Sequence, residues 1–272
     1  MNTTRRDRTK RKWLKVLLIV VLAAQAQAAA TPVRGTLLVF AAASLTDAFG
    51  EVGHTLERQN PGLRITFNFA ASSLLRTQIL QGARVDVFAS ADERNMQQVQ
   101  EAGRLWTRPV IFARNEPVVV VPVSNPAGIA SMRDLARPGL KLVVAAPEVP
   151  IGAYTRQILA NLSRDPSFGA DFAERVLRNV ASQEPNVRAS LARVALGEAD
   201  ATFVYRSDIM SEYGARVRVI EIPRWANVIA AYPIAVVRQA PNPVGARSFI
   251  AFVLSDEGQR ILMRWGFAPA RE

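Results

Sequence analysis

The sequence predicts an α/β protein built from alternating strands and helices. Three observations carry that expectation. Short Val- and Phe-rich runs recur between segments of helical spacing. Gly, Pro and Asn turn signals separate them, and no repeat or low-complexity tract breaks the alternation. Strands that alternate with helices imply mainly parallel sheets flanked by helices.

The elements follow in order. Residues 5–12 are cationic, residues 13–24 (WLKVLLIVVLAA) are apolar, and Ala26-Gln27-Ala28 offers a small-residue cleavage site. This is the layout of a signal peptide over 1–28, and its apolar run is shorter than the roughly 20 residues that span a membrane. Arg5-Arg6 hints at a twin-arginine signal, although the residues after it fit that pattern poorly. Buried strands are predicted at 36–43, 63–69, 85–89, 118–123, 140–145, 178–182, 200–205 and 232–237. Leu45, Ala48, Phe49, Val52 and Leu56 line the apolar face of the first helix of the mature chain. Turns fall at Asn60-Pro61-Gly62, Gly82, Gly103, Pro138-Gly139 and Gly197. Two extended stretches, Pro109 to Pro122 and Ile222 to Pro233, read as crossovers between two sheets, with two closing helices after the second. The pattern fits two lobes and one continuous doubly wound sheet equally well.

Composition narrows the chemistry. The chain has 272 residues, no cysteine and one histidine, His54. That excludes disulfides, thiolate metal sites, a lipid-modified N-terminal cysteine and a multi-histidine metal site. The net charge of +11 is concentrated at the start: residues 1–28 hold seven of the 34 bases and one of the 23 acids, leaving 27 bases against 22 acids. The remaining bases are scattered, and Lys141 is the only lysine among them. No basic cluster is interleaved with aromatics, so no nucleic-acid groove is expected.

Ligands of open α/β sheets bind at the carboxyl ends of strands, where helices begin. Four such ends share a character: Ala41-Ala42-Ala43-Ser44, Ala70-Ala71-Ser72-Ser73, Val149-Pro150-Ile151-Gly152 and Pro185-Asn186-Val187. Helix N-termini offer unpaired N–H groups and a positive dipole end, an anion site that needs no charged side chain. Taken singly, Ser44 and Ser72 read as ordinary helix caps, with Asp47 three residues after Ser44. Asp86 and Asp92 flank a strand end; a strand-edge charge and a helix cap account for them better than metal ligation. His54 falls on the far side of its helix from Ser44, and no G-x-S-x-G elbow occurs, so a hydrolase is not expected. The four Trp are dispersed and fit core or rim positions rather than an aromatic cage.

The run VFAAASLTDAF at 39–49 resembles the opening motif of the periplasmic molybdate-binding proteins of ABC transporters. FAASS at 69–73, VDVFASAD at 85–92, VPIGAY at 149–154, NVRASL at 186–191, FVYRSD at 203–208 and YPIAVV at 232–237 follow in that family's order. The resemblance covers nearly the whole mature chain. It implies a two-lobed type II periplasmic-binding-protein fold with the ligand in the cleft, lobe 1 being 29–115 plus 231–272 and lobe 2 being 116–230. It implies a molybdate or tungstate site at Ser44, Ser72, Ile151, Val187 and Tyr205. The serines would give hydroxyl and backbone donors, Ile151 and Val187 only backbone N–H groups, and Tyr205 its hydroxyl. Many relatives have Ala where this chain has Ile151, and residues 161–172 look like a surface insertion.

The resemblance further implies a monomeric, exported protein without cofactor or enzymatic activity. Its metal would be present only inside the bound oxyanion, and its partner would be the membrane permease of the transporter. The nearest rival is a binding protein for another tetrahedral oxyanion such as sulfate. A secreted hydrolase or sensing domain is more distant, because no transmembrane or output segment is seen before Glu272.

Overall fold

The structure, a computed structural model, describes residues 33–270. The expected signal peptide at 1–28 lies outside the described residues. The first layer contains β1 (Gly35–Ala42), α1 (Thr46–Gln59), β2 (Leu63–Ala70), α2 (Ser72–Leu80), β3 (Val87–Ala89), α3 (Glu93–Glu101) and β4 (Val110–Asn115). The chain continues through β5 (Pro117–Pro122), β6 (Leu142–Ala145), α4 (Pro150–Leu162), α5 (Phe172–Arg178), β7 (Val180–Glu184), α6 (Val187–Ala195), β8 (Thr202–Tyr205) and β9 (Val217–Ile220). It ends with β10 (Ala230–Val236), α7 (Pro243–Leu254), α8 (Asp256–Arg264) and β11 (Ala268–Pro269).

All eight expected strands are present, with ends displaced by at most two residues. Sheet membership divides them. One six-stranded sheet runs β11-β4-β10-β3-β1-β2, and a three-stranded sheet β8-β5-β9 lies beside the pair β6-β7. An isolated bridge from Leu142 to Ala201 links that pair to the start of β8. The chain leaves the large sheet between Asn115 and Pro117 and re-enters it at Ala230.

The expectation of mainly parallel sheets holds only locally. β1 pairs in parallel with β2 and β3, and β6 with β7, because a helix carries the chain back between them. β10 is antiparallel to β3 and β4, and β5 is antiparallel to β8 and β9. These are strands at the two crossings, where the chain enters a sheet from the other one without a helical return. β4 was hidden inside the stretch read as a crossover. β9 (VRVI) was missed because Arg218 breaks its short apolar run.

The core follows the predicted helix face: Ala48, Phe49, Val52 and Leu56 of α1 are buried. Phe49 meets Phe249 of α7 edge-on with centroids 5.4 Å apart and Phe112 of β4 at 5.6 Å. Truncating such a ring to Ala costs about 3–5 kcal/mol. His54 is exposed, as expected, 4.0 Å from Glu57. Asp92 caps α3 by accepting the Asn95 N–H at 2.9 Å. Asp86 is not a strand-edge charge. It is buried, and its carboxylate accepts the backbone N–H groups of Leu38 at 2.8 Å and Asn242 at 2.5 Å. It ties β1 to the start of α7. Trp106 and Trp225 lie at the surface.

Candidate functional site

Strand register brings the site together. Ala42 of β1 pairs with Ala70 of β2, and Ala41 with Ala89 of β3. Ser44 and Ser72, each two residues beyond a paired alanine, therefore emerge level with each other. In the second group, Ala145 of β6 pairs with Glu184 of β7, and the helices that follow begin at Pro150 and Val187. Tyr205 closes β8.

These five strand ends face one cavity. It is lined by Ser44, Ser72, Ile151, Val187 and Tyr205 together with Ala42, Ala43, Ala70, Ala71, Ala91, Val149, Pro150 and Asn186. All five residues expected from the sequence are thus in one place. The free volume is about 10 Å³, on the order of what holds one water-sized body. Larger clefts exist, such as one of about 720 Å³ beside Glu93 and Arg108. Its lining includes Gln97, Gln100 and Glu101, and it contains none of the five expected residues. No charged side chain is among the residues that line the small cavity.

Its wall presents donors. Pro150 at the first turn of α4 lacks an N–H, so Ile151 is the first donor of that helix, and no carbonyl one turn earlier is available to it. Val187 is the first residue of α6, whose cap is Asn186, accepting the Ala189 N–H at 3.0 Å. Helix α4 can approach this closely because residue 152 is Gly. A Cβ there would overlap the carbonyl oxygens of Ala145 and Ala146. The N-termini of α2, α4 and α6 each carry roughly half a positive charge. Together they amount to about +1.5 facing the cavity.

The serines do not act as caps. Ser44 lies inside a 3-10 turn (Ala43–Leu45), and Ser72 is the first residue of α2, capped without a side chain by Ala71. Their hydroxyls are engaged from behind instead. The Ala91 N–H donates to Ser72 Oγ at 3.0 Å. Ser44 Oγ lies 2.9 Å from the Tyr232 hydroxyl of β10. Asn115 holds Tyr232 from the other side. Asn115 Oδ1 accepts the N–H groups of Glu116 (3.0 Å) and Ser207 (3.4 Å), which turns Nδ2 toward Ser207 Oγ at 2.7 Å and Tyr232 Oη at 3.5 Å. Either hydroxyl can donate in the Ser44–Tyr232 bond. Ser72 accepts from Ala91 and keeps its proton for the cavity, while Ser44 is anchored to β10 through Tyr232.

Tyr205 completes the set. Its side chain is 1% exposed, and its hydroxyl has no hydrogen-bond partner in the protein. A buried hydroxyl without a partner is costly, and such exceptions concentrate at functional sites. Its ring lies edge-on to Tyr154 at 6.5 Å and Tyr232 at 5.8 Å. Burial first, then the neighbouring phenols, pushes its pKa well above the usual 10, and burial does the same to Tyr232. Both remain neutral donors. Sequence reading placed Tyr232 only on a strand and did not single out Asn115. Their sole sequence signals were the YPIAVV run and the Asn before a crossover.

Known proteins resemble this chain in sequence and in fold. Residues 37–268 match the family model described as bacterial extracellular solute-binding protein. The molybdate-binding protein ModA of Mycobacterium tuberculosis is 42% identical over 245 residues, covering 89% of each chain. The solved periplasmic molybdate-binding protein of Azotobacter vinelandii superposes with a TM-score of 0.72 at 18% identity, covering 85% of this chain and 98% of that one. The sulfate-binding protein SubI of M. tuberculosis superposes at 0.78 with 19% identity, covering 88% of each chain. The last two likenesses establish the fold alone.

Proposed function

The chain belongs to the bacterial extracellular solute-binding protein family, and we propose that within it this protein captures molybdate outside the cytoplasm. Tungstate, nearly equal in size, is expected to bind as well, and a membrane permease of an ABC importer receives the anion. The observation that carries the reading is a donor-rich cavity lined by no charged side chain. Five hydrogen-bonding positions from five strand ends meet there, and no acidic side chain is among the lining residues. Molybdate at neutral pH is a full dianion with acceptor oxygens only. Charge-assisted bonds contribute roughly 1.5–3 kcal/mol each, so five or more offset much of its desolvation. Protonated phosphate is best met by a carboxylate acceptor, and no carboxylate lines this wall.

The change of sheet at 115–117 and at 220–230 supports lobes of 29–115 plus 231–272 and of 116–230, with the cavity between them. Export by a cleaved segment over 1–28 gives a mature N-terminus near Ala29. The mature protein acts as a monomer, binds stoichiometrically and performs no turnover.

Calorimetric titration with molybdate, tungstate, sulfate and phosphate tests the assignment. Saturable one-to-one binding of molybdate and tungstate, with sulfate and phosphate far weaker, is the expected result. Sulfate binding as tight as molybdate would move the substrate to sulfate and keep the site. Silence with all four would remove the oxyanion reading altogether.

A further inference from the structure

Beside the donor Val187 stands a charged group the anion site does not use. Arg188 of α6 is 18% exposed and makes two ion pairs in different directions. Its Nε donates to Asp208 Oδ1 at 2.8 Å, and its Nη2 donates to Asp47 Oδ2 at 2.6 Å. Asp208 is wholly buried and also accepts the Tyr205 N–H at 2.9 Å. Asp47 sits in the first turn of α1, three residues past Ser44. One guanidinium thereby connects the segments that carry Val187, Tyr205 and Ser44. The first two belong to the β5–β9 part of the chain and the third to the six-stranded sheet.

We propose that Arg188 and Asp47 are positioning residues for anion capture: their ion pair latches the two lobes together with the donors of both at bonding distance from one anion. The inference rests on the oxyanion reading above. The two halves of the bridge have different duties. Arg188 and Asp208 lie in the same lobe and stay paired whether the cleft is open or closed. Neither can be removed without stranding the other's buried charge. Asp47 approaches from the opposite lobe and is 29% exposed. When the lobes part, its carboxylate and the outer edge of the guanidinium regain water, so the contact is reversible. Burial opposes the charge on Arg188, and the two carboxylates overcome that, raising its pKa. Arg188 therefore stays charged wherever molybdate is a dianion. It adds closure energy without placing a cation in the cavity wall.

Asp47→Asn is the informative variant, because it leaves the buried Arg188–Asp208 pair intact. Molybdate affinity should fall by roughly 5–150-fold, the usual range of a coupling between sites, and stopped-flow should place the loss in faster release. Solution scattering of the variant at sub-saturating molybdate should show a larger open fraction than wild type. The anion-free melting temperature should change little. Asp47→Glu, which keeps the charge, should recover most of the affinity, and raising NaCl should speed release from wild type more than from Asp47→Asn. Wild-type affinity and release rate in Asp47→Asn overturn the latch and leave the oxyanion site standing. So does a loss that lies wholly in association, or one that Asp47→Glu shares in full. Failure of the wild-type protein to bind molybdate overturns the site and the latch with it.

Discussion

Replacing Tyr205 by Phe should move ligand affinity and protein stability in unlike directions. Most buried tyrosines donate to a protein acceptor, and losing that bond costs stability. Tyr205 has no such partner, although its ring is 1% exposed and packed against Tyr154 and Tyr232. Removing the oxygen strips no protein hydrogen bond and leaves both ring contacts. The anion-free protein should be as stable as wild type, or more stable by up to the roughly 1–3 kcal/mol that an unsatisfied buried polar group costs. At about 2–4 °C per kcal/mol for a domain of this size, the melting temperature stays level or rises by several degrees. Molybdate, however, loses a charge-assisted bond of roughly 1.5–3 kcal/mol, which is about ten- to 150-fold in Kd. Calorimetric titration and anion-free thermal unfolding, run on the same preparation, read both numbers. Wild-type affinity in Tyr205→Phe would refute the hydroxyl's role. A clear drop in anion-free stability would refute the claim that it lacks a structural partner.

Further outcomes follow from the same geometry. Ser44→Ala and Ser72→Ala should each weaken molybdate binding about tenfold or more, since each removes a hydroxyl from the cavity wall; titration checks both. Gly152→Ala should weaken binding and lower the melting temperature, because the new Cβ forces α4 off the carbonyls of Ala145 and Ala146 at a cost of roughly 1–3 kcal/mol. Affinity should be flat from about pH 6 to 9, since Tyr205 stays protonated well past the usual phenol pKa of about 10. Stability has the opposite limit. Above about pH 10 the unfolded chain sheds its tyrosine protons while buried Tyr205 and Tyr232 retain theirs, so stability falls as pH rises toward their folded-state values. Thermal unfolding between about pH 8 and 11 reads that slope.

What was legible in the sequence was local or repeated. Each expected strand carried its own apolar run, and the four small-residue strand ends stood immediately before helices. Those two features marked four strand ends as places where an anion could meet backbone, and the resemblance singled out Ser44, Ser72, Ile151 and Val187 among them. Tyr205 came only through the resemblance of FVYRSD to a known motif. What stayed hidden depends on distant partners. The Ser44–Tyr232 bond joins residues 188 apart, and the Arg188–Asp47 bond joins residues 141 apart. Nothing near Ser44 announces that its hydroxyl bonds to a strand at the other end of the chain, so it read as a cap. The antiparallel strands were obscured for a related reason, since direction is set by where a strand enters its sheet and not by its composition.

The placement of charge explains how such a wall can favour one anion over another. A lysine or arginine in the cavity would attract any anion, and its flexible stem would follow anions of different size. Here the helix N-termini supply a comparable field from groups fixed to the backbone, and the serine hydroxyls are held in place by Ala91 and Tyr232. The arginines next to donors are committed elsewhere: Arg188 to Asp47 and Asp208, and Arg206 to Glu116 and Glu221. Donors that cannot move reward an oxyanion only when its oxygens fall where they already point. A smaller tetrahedron such as sulfate leaves some of them unmet, and each unmet bond forfeits roughly the 1.5–3 kcal/mol it would have contributed. Discrimination then rests on rigidity, which places the burden on Gly152, Asn115 and Tyr232, residues that need never touch the anion. Tyr232→Phe should accordingly narrow the gap between molybdate and sulfate more than it lowers the affinity for molybdate, because Ser44 is then free to turn toward the shorter ligand. Titrating the variant with both anions measures this, and an unchanged molybdate-to-sulfate ratio would show that the anchoring of the Ser44 hydroxyl does not govern selectivity.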